Sequence, residues 1–249
     1  MSNKPVIFDF SGVCRDENLA GGLGAELVDC RGIEGTSCYC DPEAEDALRA
    51  LLSERPVDTV NWIDSGDYHY MSRLTTDRIS EPFSLVVFDH HTDMQEPAFG
   101  DILSCGGWVR SAADRNRFLQ HVLLVGVAPE LAAECDSLGG RVSVATRTCL
   151  PSPEDLVRML KGHFPVYISI DKDVLHPDFA RTDWDQGTMP LPVMESYIEA
   201  LAGAFPLIGA DICGEIPSFK GGTGADFSLN AETNIRLTRL LLSKIRLYL

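Results

Sequence analysis

The sequence predicts an α/β fold built on a mainly parallel β-sheet that is buried on both faces. Short apolar runs rich in valine and isoleucine recur along the 249 residues, and stretches of helical character separate them. This strand, helix, strand rhythm is typical of parallel sheets, because each crossover needs a connection long enough for a helix. No internal repeat or composition shift marks a linker, so we expect one domain over residues 1–249.

Each element has its own local signal. The predicted strands are 6–8, 59–63, 85–88, 122–127, 142–145, 166–170 and 207–210. The predicted helices lie near 43–54, 69–79, 109–120, 129–136, 153–161, 193–204 and 231–247. Two helix starts are readable, because Asp41-Pro42 and Ser152-Pro153 each place a capping side chain before a proline in the first turn. The remaining long segments, 95–107, 175–190 and 216–230, are predicted loops of the length that often carries function.

Charge and hydropathy narrow the choice of partners. The formal charge is −16, from 37 acidic and 21 basic residues, which argues against nucleic acid or an anionic membrane as the main partner. It favours cations and small cationic substrates. The sequence contains no apolar run of the roughly 18 residues that a membrane helix needs and no signal-peptide pattern, so we expect a cytoplasmic protein with its eight cysteines reduced.

Carboxylates and histidines follow four of the predicted strands. In open parallel sheets, ligands bind outside the carboxyl ends of the strands, so these residues are expected to meet at one edge. The residues concerned are Asp64, Asp67 and His69 after the second strand, Asp89 to Asp93 after the third, Asp171 and Asp173 after the sixth, and Asp211 and Glu215 after the seventh.

The segment Asp89-His90-His91-Thr92-Asp93 is the most informative of these groups. In an extended chain, Asp89, His91 and Asp93 point to one side and the two residues between them to the other. A single strand-end aspartate more often caps a helix, and a lone buried histidine is more often structural. Together, however, these donors favour a metal site.

The donor set is typical of two divalent ions. Two histidines and four carboxylates, without thiolate, suit two Mn²⁺ ions, with Mg²⁺, Fe²⁺ and Co²⁺ as alternatives. Two such ions about 3.5–4 Å apart would lower the pKa of a shared water and create a bridging hydroxide. The predicted reaction is therefore hydrolysis.

At this point the motifs resemble those of the ureohydrolases, the arginase and agmatinase family. The family signature Asp-Ala-His-x-Asp is matched by Asp89 to Asp93, with His90 in place of the small residue. A second signature, Ser-φ-Asp-φ-Asp followed by proline, is matched by 169–177, with Lys172 in place of an aliphatic residue. The Gly-Gly-x-His signature is represented loosely by 65–69, where the spacing to His69 is one residue longer. The resemblance implies a three-layer α/β/α fold with roughly eight strands.

The resemblance also implies roles for single residues. Asp89 and Asp171 would bridge both ions, while His69 and Asp93 complete one site and His91 and Asp173 the other. Glu215 resembles the family glutamate that binds a guanidinium group through paired hydrogen bonds, and Gln95 stands near a substrate-binding position. Asp93 and Glu215 are the expected catalytic residues. The implied function is hydrolysis of a linear C–N bond in a small cationic guanidino-like compound, and a homo-oligomer is left open.

Several alternatives stay open at this stage. The loop 103–108 carries no histidine, which disfavours arginine as substrate, so another guanidino, formimino or amide-like compound fits equally well. Cys105 in this loop is more typical of an inert buried thiol than of a site residue. Rival functions are a single-zinc, deacetylase-like amidohydrolase of the same fold, a two-metal phosphoesterase of the Asp-His-His type, and a non-catalytic protein that binds a small ligand.

Overall fold

A computed structural model describes residues 4–245, except for the side chains of residues 137 and 138. The strands in this part of the chain are β1 (Val6–Asp9), β2 (Glu26–Asp29), β3 (Tyr39–Cys40), β4 (Val60–Ile63), β5 (Phe83–Phe88), β6 (Leu103–Ser104), β7 (Leu119–Val127), β8 (Val142–Thr146), β9 (Val166–Asp171) and β10 (Leu207–Cys213). The α-helices are α1 (Val13–Asp16), α2 (Leu19–Leu23), α3 (Pro42–Ser53), α4 (Met71–Thr76), α5 (Trp108–Arg115), α6 (Pro153–Met159), α7 (Leu191–Ala204) and α8 (Gly224–Lys244).

Eight of the strands form one sheet in the order β2-β1-β4-β10-β9-β5-β7-β8. Every pairing in this sheet is parallel. The predicted α/β class and the parallel sheet of about eight strands are therefore confirmed. The remaining two strands, β3 and β6, form a separate antiparallel pair.

Strand β2 was missed by the sequence prediction. Within residues 4–245, it lies at the edge of the sheet and pairs only with β1. Its outer residues Glu26 and Asp29 are exposed, and Val28 is its one buried side chain. An edge strand with a single buried residue lacks the apolar run by which the other strands were found.

Helices cover both faces of the sheet. Leu48 of α3, Leu74 of α4 and Trp108 of α5 belong to one hydrophobic cluster. A second cluster contains Leu156 of α6, Leu201 of α7 and Leu237 of α8. The three-layer arrangement is confirmed, and it explains why strands such as β5 are buried at every residue.

The two predicted helix caps are present. The side chain of Asp41 accepts a hydrogen bond from Ala44 N at 2.8 Å, and Ser152 Oγ accepts one from Asp155 N at 3.2 Å. Two other helices differ from prediction: the segment Pro129–Arg141 consists of 3₁₀ turns interrupted by a kink at Gly139, and α4 is shorter than 69–79, so that His69 precedes it.

The predicted start of the last helix at residue 231 is wrong. A capping box between Thr223 and Asp226 begins α8 at Gly224, inside the predicted loop 216–230. The first turns bury the polar side chains Asn230, Thr233 and Asn234, so hydrophobic spacing gave no signal there. The predicted helix end at 247 falls outside the described residues.

Strands β4, β10, β9 and β5 are neighbours, so the residues at their carboxyl ends share one edge of the sheet. Chain order reverses across this region, as it does where open α/β sheets bind ligands. Between residues 4 and 245, no helix is both long and apolar enough to cross a membrane. The single domain over 1–249 and the cytoplasmic location stay predictions.

Candidate metal centre

All six predicted metal ligands line one cavity of about 330 Å³ at this edge of the sheet. They are His69, Asp89, His91, Asp93, Asp171 and Asp173. Asp89 directly follows β5, Asp171 ends β9, and Asp173 lies in the 3₁₀ turn Lys172–Val174 that continues β9. His69 closes the 3₁₀ turn Gly66–Tyr68 after β4.

The segment after β5 is not extended throughout, in contrast to the prediction that its side chains alternate between two sides. Asp93 has a φ of +50°, in the left-handed region. Thr92 also lines the cavity, although it was expected to face away. His90 does face away from the ligand cluster, and its backbone N–H donates to Asp173 Oδ1 at 3.0 Å. That bond ties the segment after β5 to the turn after β9.

His69 lies among three carboxylates despite its altered motif. Its Nδ1 is 3.1 Å from Asp93 Oδ2, 3.3 Å from Asp89 Oδ2 and 3.6 Å from Asp171 Oδ2. The side chain is 1% exposed. His69, Asp89 and Asp93 thus form a compact group of one imidazole nitrogen and two carboxylates.

A second group forms around His91. Its Nδ1 is 2.8 Å from Asp173 Oδ2 and 3.5 Å from Asp89 Oδ1. Asp89 is therefore common to both groups, as expected of a bridging ligand. Asp171, the other expected bridge, instead groups with His69 and Cys213.

Other residues orient the predicted ligands, and sequence reasoning did not assign them. Ser169 Oγ is 2.6 Å from Asp211 Oδ1 and 2.9 Å from His69 Nε2. If the hydroxyl donates to Asp211, it accepts from His69 Nε2–H, so that the lone pair of Nδ1 faces the carboxylates. Trp108 Nε1 donates to Asp93 Oδ2 at 2.6 Å, and Cys213 Sγ donates to Asp171 Oδ2 at 3.2 Å. Trp108 belongs to α5 and Cys213 ends β10, so only the fold brings them here.

The electrostatics of the cluster are those of a site built for cations. Burial, together with Asp171 and Asp89, raises the pKa of Asp173 well above its usual value. Burial, followed by the charge of Asp89, raises the pKa of Asp93 to about 7. Burial alone would lower the pKa of His91, but hydrogen bonds to Asp173 and Asp89 raise it to about 12.

The donor set therefore fits the implied metals. Buried carboxylates so close together repel one another unless protons or cations lie between them. Oxygen and imidazole donors that are already gathered fit divalent ions, because such ions need deprotonated ligands. The six residues could hold two ions, with Asp89 reaching both.

The expected guanidinium-binding role of Glu215 does not fit the structure. Glu215 is 2% exposed and does not line the described cavity. Its carboxylate forms an ion pair with Lys172 and accepts hydrogen bonds from Asn234 Nδ2 at 2.6 Å and Asn230 Nδ2 at 2.9 Å. Both oxygens are thus bound inside the protein and point away from the cavity.

Gly214, the residue before Glu215, is the one that approaches the ligands. A Cβ atom at Gly214 would lie 2.4 Å from Asp171 Oδ1, and the residue has a φ of +89°. Only glycine fits this position without displacing Asp171. The end of β10 therefore brings no carboxylate into the cavity.

The cavity wall holds the remaining candidates. Gln95 lines it, as expected of a substrate-binding residue. Cys105 and Cys38 also line it as free thiols, and the backbone N–H of Cys105 donates to Cys38 O at 2.9 Å. The hydrogen bond that the Cys105 thiol donates to Cys38, together with burial, raises the pKa of Cys105 and favours its neutral form, while the same bond lowers the pKa of Cys38. Tyr39, Leu131 and Trp184 complete the outer wall.

Solved structures of known enzymes share this fold. Proclavaminate amidino hydrolase from Streptomyces clavuligerus superimposes with a TM-score of 0.70 at 16% identity, covering 96% of this chain and 92% of that one. Formimidoylglutamase from Bacillus subtilis gives a TM-score of 0.70 at 15% identity, covering 98% and 88%. Agmatine ureohydrolase of Thermoplasma volcanium gives 0.69 at 16% identity, covering 98% and 91%. At these identities the likeness concerns the fold.

Two sequence comparisons place the chain in a family. An uncharacterized protein from Thermotoga maritima is 31% identical over 209 residues, which cover 84% of this chain and 78% of that protein. The model of the arginase family matches residues 69–228, more than half of the chain and the part that holds all six predicted ligands. The chain belongs to the arginase family.

Proposed function

We propose that this protein is a hydrolase of linear C–N bonds that uses two divalent metal ions, with Mn²⁺ as the first choice. The observation that carries the proposal is the pair of ligand groups that share Asp89 at the base of one cavity. The structures with the same fold include an amidino hydrolase and a formimidoylglutamase, whose names refer to amidine-like carbon centres. The substrate class is therefore a compound with a planar carbon bonded to nitrogen, as in an amidine, guanidine or amide.

In this proposal His69 and Asp93 hold one ion, His91 and Asp173 hold the other, and Asp89 and Asp171 contact both. When bound, the two ions supply Lewis acidity and lower the pKa of a water molecule that they share. The tilted contact between the rings of Trp108 and His69, with centroids 4.8 Å apart, packs the protein side of the site and keeps bulk water from it.

The protein's own residues then bind the substrate and move protons. Gln95 offers an amide that can both donate to and accept from the planar group of the substrate. Trp108 holds Oδ2 of Asp93, so we assign proton transfer from the attacking water to the leaving nitrogen to Asp93 Oδ1. Glu215 has no role in this scheme.

Metal analysis and turnover test the proposal together. Protein loaded with Mn²⁺ and freed of excess metal should retain about two ions per chain. Asp89→Asn should lose metal and activity, because this one change removes a ligand from both groups. The matched control Asp101→Asn alters a side chain that is 84% exposed and should retain both.

The turnover assay should measure the release of urea, ammonia and amine from a set of guanidino, formimino and acylamino compounds. One tightly held zinc per chain would favour the single-zinc alternative over two Mn²⁺ ions. Full metal content and activity in Asp89→Asn would refute the assignment of the site, and turnover of none of the compounds by metal-loaded protein would favour a non-catalytic binding protein.

A further inference from the structure

We infer that the substrate is an uncharged carboxamide with an apolar arm of aromatic size, rather than a guanidinium compound or an amino acid derivative. This inference rests on the proposed function and narrows it. Three features of the cavity carry it: the carboxylates that line it, the amide of Gln95, and the aromatic outer wall.

A guanidinium group needs a carboxylate with two free oxygens in a site shielded from water. Four of the five carboxylates that line the described cavity are the predicted metal ligands Asp89, Asp93, Asp171 and Asp173. The fifth, Glu134, is exposed and accepts a hydrogen bond from the hydroxyl of Thr92. Within the part of the chain that the structure describes, the ligand cluster thus leaves no shielded carboxylate for a planar cation.

The buried carboxylate of Glu215 is paired outside the cavity. Glu215 is neutralised by Lys172, whose side chain is 0% exposed, and is held by two asparagine amides. If Glu215 turned into the cavity, the buried charge of Lys172 would have no anionic partner, which costs several kcal/mol. The crowded position of Gly214 closes the direct path from β10 to the ligands.

A neutral amide matches the groups that do face the cavity. The side-chain amide of Gln95 lies against the backbone at Gly106, where a Cβ would be 2.9 Å from Gln95 Oε1 and 3.2 Å from its Nε2. The amide lines the same cavity as the ligand cluster. An amide can pair with a second amide through one donor and one acceptor, without any charge.

The outer wall suits an apolar arm. Tyr39 is 41% exposed and Trp184 40% exposed, and both line the cavity together with Leu131. The indole of Trp184 meets the ring of His91 edge-on, with centroids 5.7 Å apart, and its Nε1 donates to Asp67 Oδ1 at 3.1 Å. Among the described residues, no lysine or arginine lines this cavity, so a carboxylate on the arm would lack a partner.

The reaction is a simple hydrolysis. Water adds to the carbonyl carbon, the C–N bond breaks, the nitrogen takes one proton, and the products are a carboxylic acid and an amine. No oxidant, reductant or further co-reactant is required.

Four compounds test the inference: N-phenethylformamide, phenethylguanidine, N-formylaminobutyrate and guanidinobutyrate. With Mn²⁺-loaded protein, kcat/KM for N-phenethylformamide should exceed that of each of the other three by at least about tenfold, the scale of one aromatic contact or one good hydrogen bond. Faster turnover of either guanidine overturns the uncharged head group and leaves the hydrolase standing. Turnover of none of the four contradicts the hydrolase itself.

A binding measurement does not depend on turnover. Trp184 is 40% exposed and lines the cavity, whereas Trp62 and Trp108 are buried and Trp108 contacts His69. The Trp184→Phe variant therefore identifies the part of a ligand-dependent change in tryptophan fluorescence that comes from Trp184. In metal-free protein, both phenethyl compounds should give a saturable change that the two butyrates lack, and Trp184→Phe should remove it. An equal response to phenethyl and butyrate compounds overturns the aromatic arm.

Substitution of the outer wall separates binding from folding. Trp184→Leu should lower kcat/KM about tenfold more for N-phenethylformamide than for N-methylformamide. Phe219→Leu, at an aromatic residue that is 70% exposed and lies outside the cavity lining, should change neither. An equal loss with both substrates in Trp184→Leu would show a structural role for Trp184 and refute its contact with the arm.

Discussion

Replacing Asp93 by asparagine should stabilise the metal-free protein and reduce the stabilisation that metal gives. Asparagine keeps the shape of the side chain and an oxygen that can accept from Trp108 Nε1, which is 2.6 Å from Asp93 Oδ2. It also tolerates the φ of +50° at this position better than most residues. The substitution therefore changes mainly the charge.

The magnitude follows from the pKa of Asp93. Burial and the neighbouring Asp89 raise it to about 7, from an ordinary value of about 3.9. Three pKa units correspond to about 4 kcal/mol, and we expect roughly 2–4 kcal/mol because the carboxylates share protons. Since the folded-state pKa is the higher one, the stability linked to this group is complete below about pH 4 and is lost as pH rises through about 7. The advantage of Asp93→Asn should therefore grow over that range.

Metal should offset this advantage of the variant. Ligand at about a hundred times its Kd stabilises the wild-type protein by about 2.7 kcal/mol per site, and the variant lacks one ligand of the first group. Thermal unfolding in chelator and in excess Mn²⁺, at a series of pH values, measures both effects. For a chain of this size, 1 kcal/mol corresponds to about 2–4 °C in Tm, so above about pH 7 the variant should unfold roughly 5–15 °C higher in chelator.

The exposed carboxylate Asp101 provides the matched control, since Asp101→Asn should change Tm little in either condition. A lower Tm for Asp93→Asn in chelator above about pH 7 would contradict the electrostatic argument. An equal rise in Tm with Mn²⁺ in variant and wild type would contradict the placement of Asp93 at the metal.

Three further predictions concern residues behind the cavity and away from it. Ser169→Ala should weaken binding of one metal ion about 10–100-fold, because it removes the hydrogen bond that orients His69. An unchanged affinity in calorimetry would contradict this prediction. Glu215→Gln should lower the free energy of unfolding by about 3–5 kcal/mol, because it leaves the buried charge of Lys172 without an anionic partner. KM should stay unchanged. A raised KM without loss of stability would restore the guanidinium-binding role of Glu215. Burial lowers the pKa of His121 to about 4. Protonation of His121 should therefore lower the free energy of unfolding as pH falls below about 6.5, by at most about 3 kcal/mol. His121→Asn should reduce this loss of stability at acid pH, as measured by urea titrations. An unchanged loss would assign the pH dependence to other groups.

The sequence could predict the ligand cluster because parallel strands end at a common edge. Once β5 and β9 were recognised from their apolar runs, Asp89 and Asp171 were expected at the same edge, and the pairing of β5 with β9 in the structure makes them neighbours. The orienting residues gave no comparable signal. Trp108 reaches Asp93 from the start of α5, and a buried tryptophan at a helix start looks in sequence like any core residue.

The error over Glu215 has a different physical origin. Adjacent residues of an extended chain face opposite ways, so a shift of one position exchanges the side that meets the ligands with the side that meets the next layer. Gly214 faces Asp171, and Glu215 faces Asn230 and Asn234 of α8. Motif spacing alone cannot separate two neighbouring residues, whereas the contacts of each side chain do.

Lys172, which stands in place of an aliphatic residue of the family signature, and Glu215 belong together. Lys172 stands between Asp171 and Asp173, whose side chains meet the ligand cluster, so its own side chain leaves on the opposite side, toward α8. A lysine that is 0% exposed needs a partner of opposite charge, and Glu215 meets that need. A glutamate bound in this way cannot also bind a substrate cation, and the glycine beside it leaves the end of β10 without a charge. Along these short segments, the residues that would hold the ions therefore alternate with the residues that restrict the substrate. The motifs could thus identify the family, although the substrate-binding residue was misassigned from them.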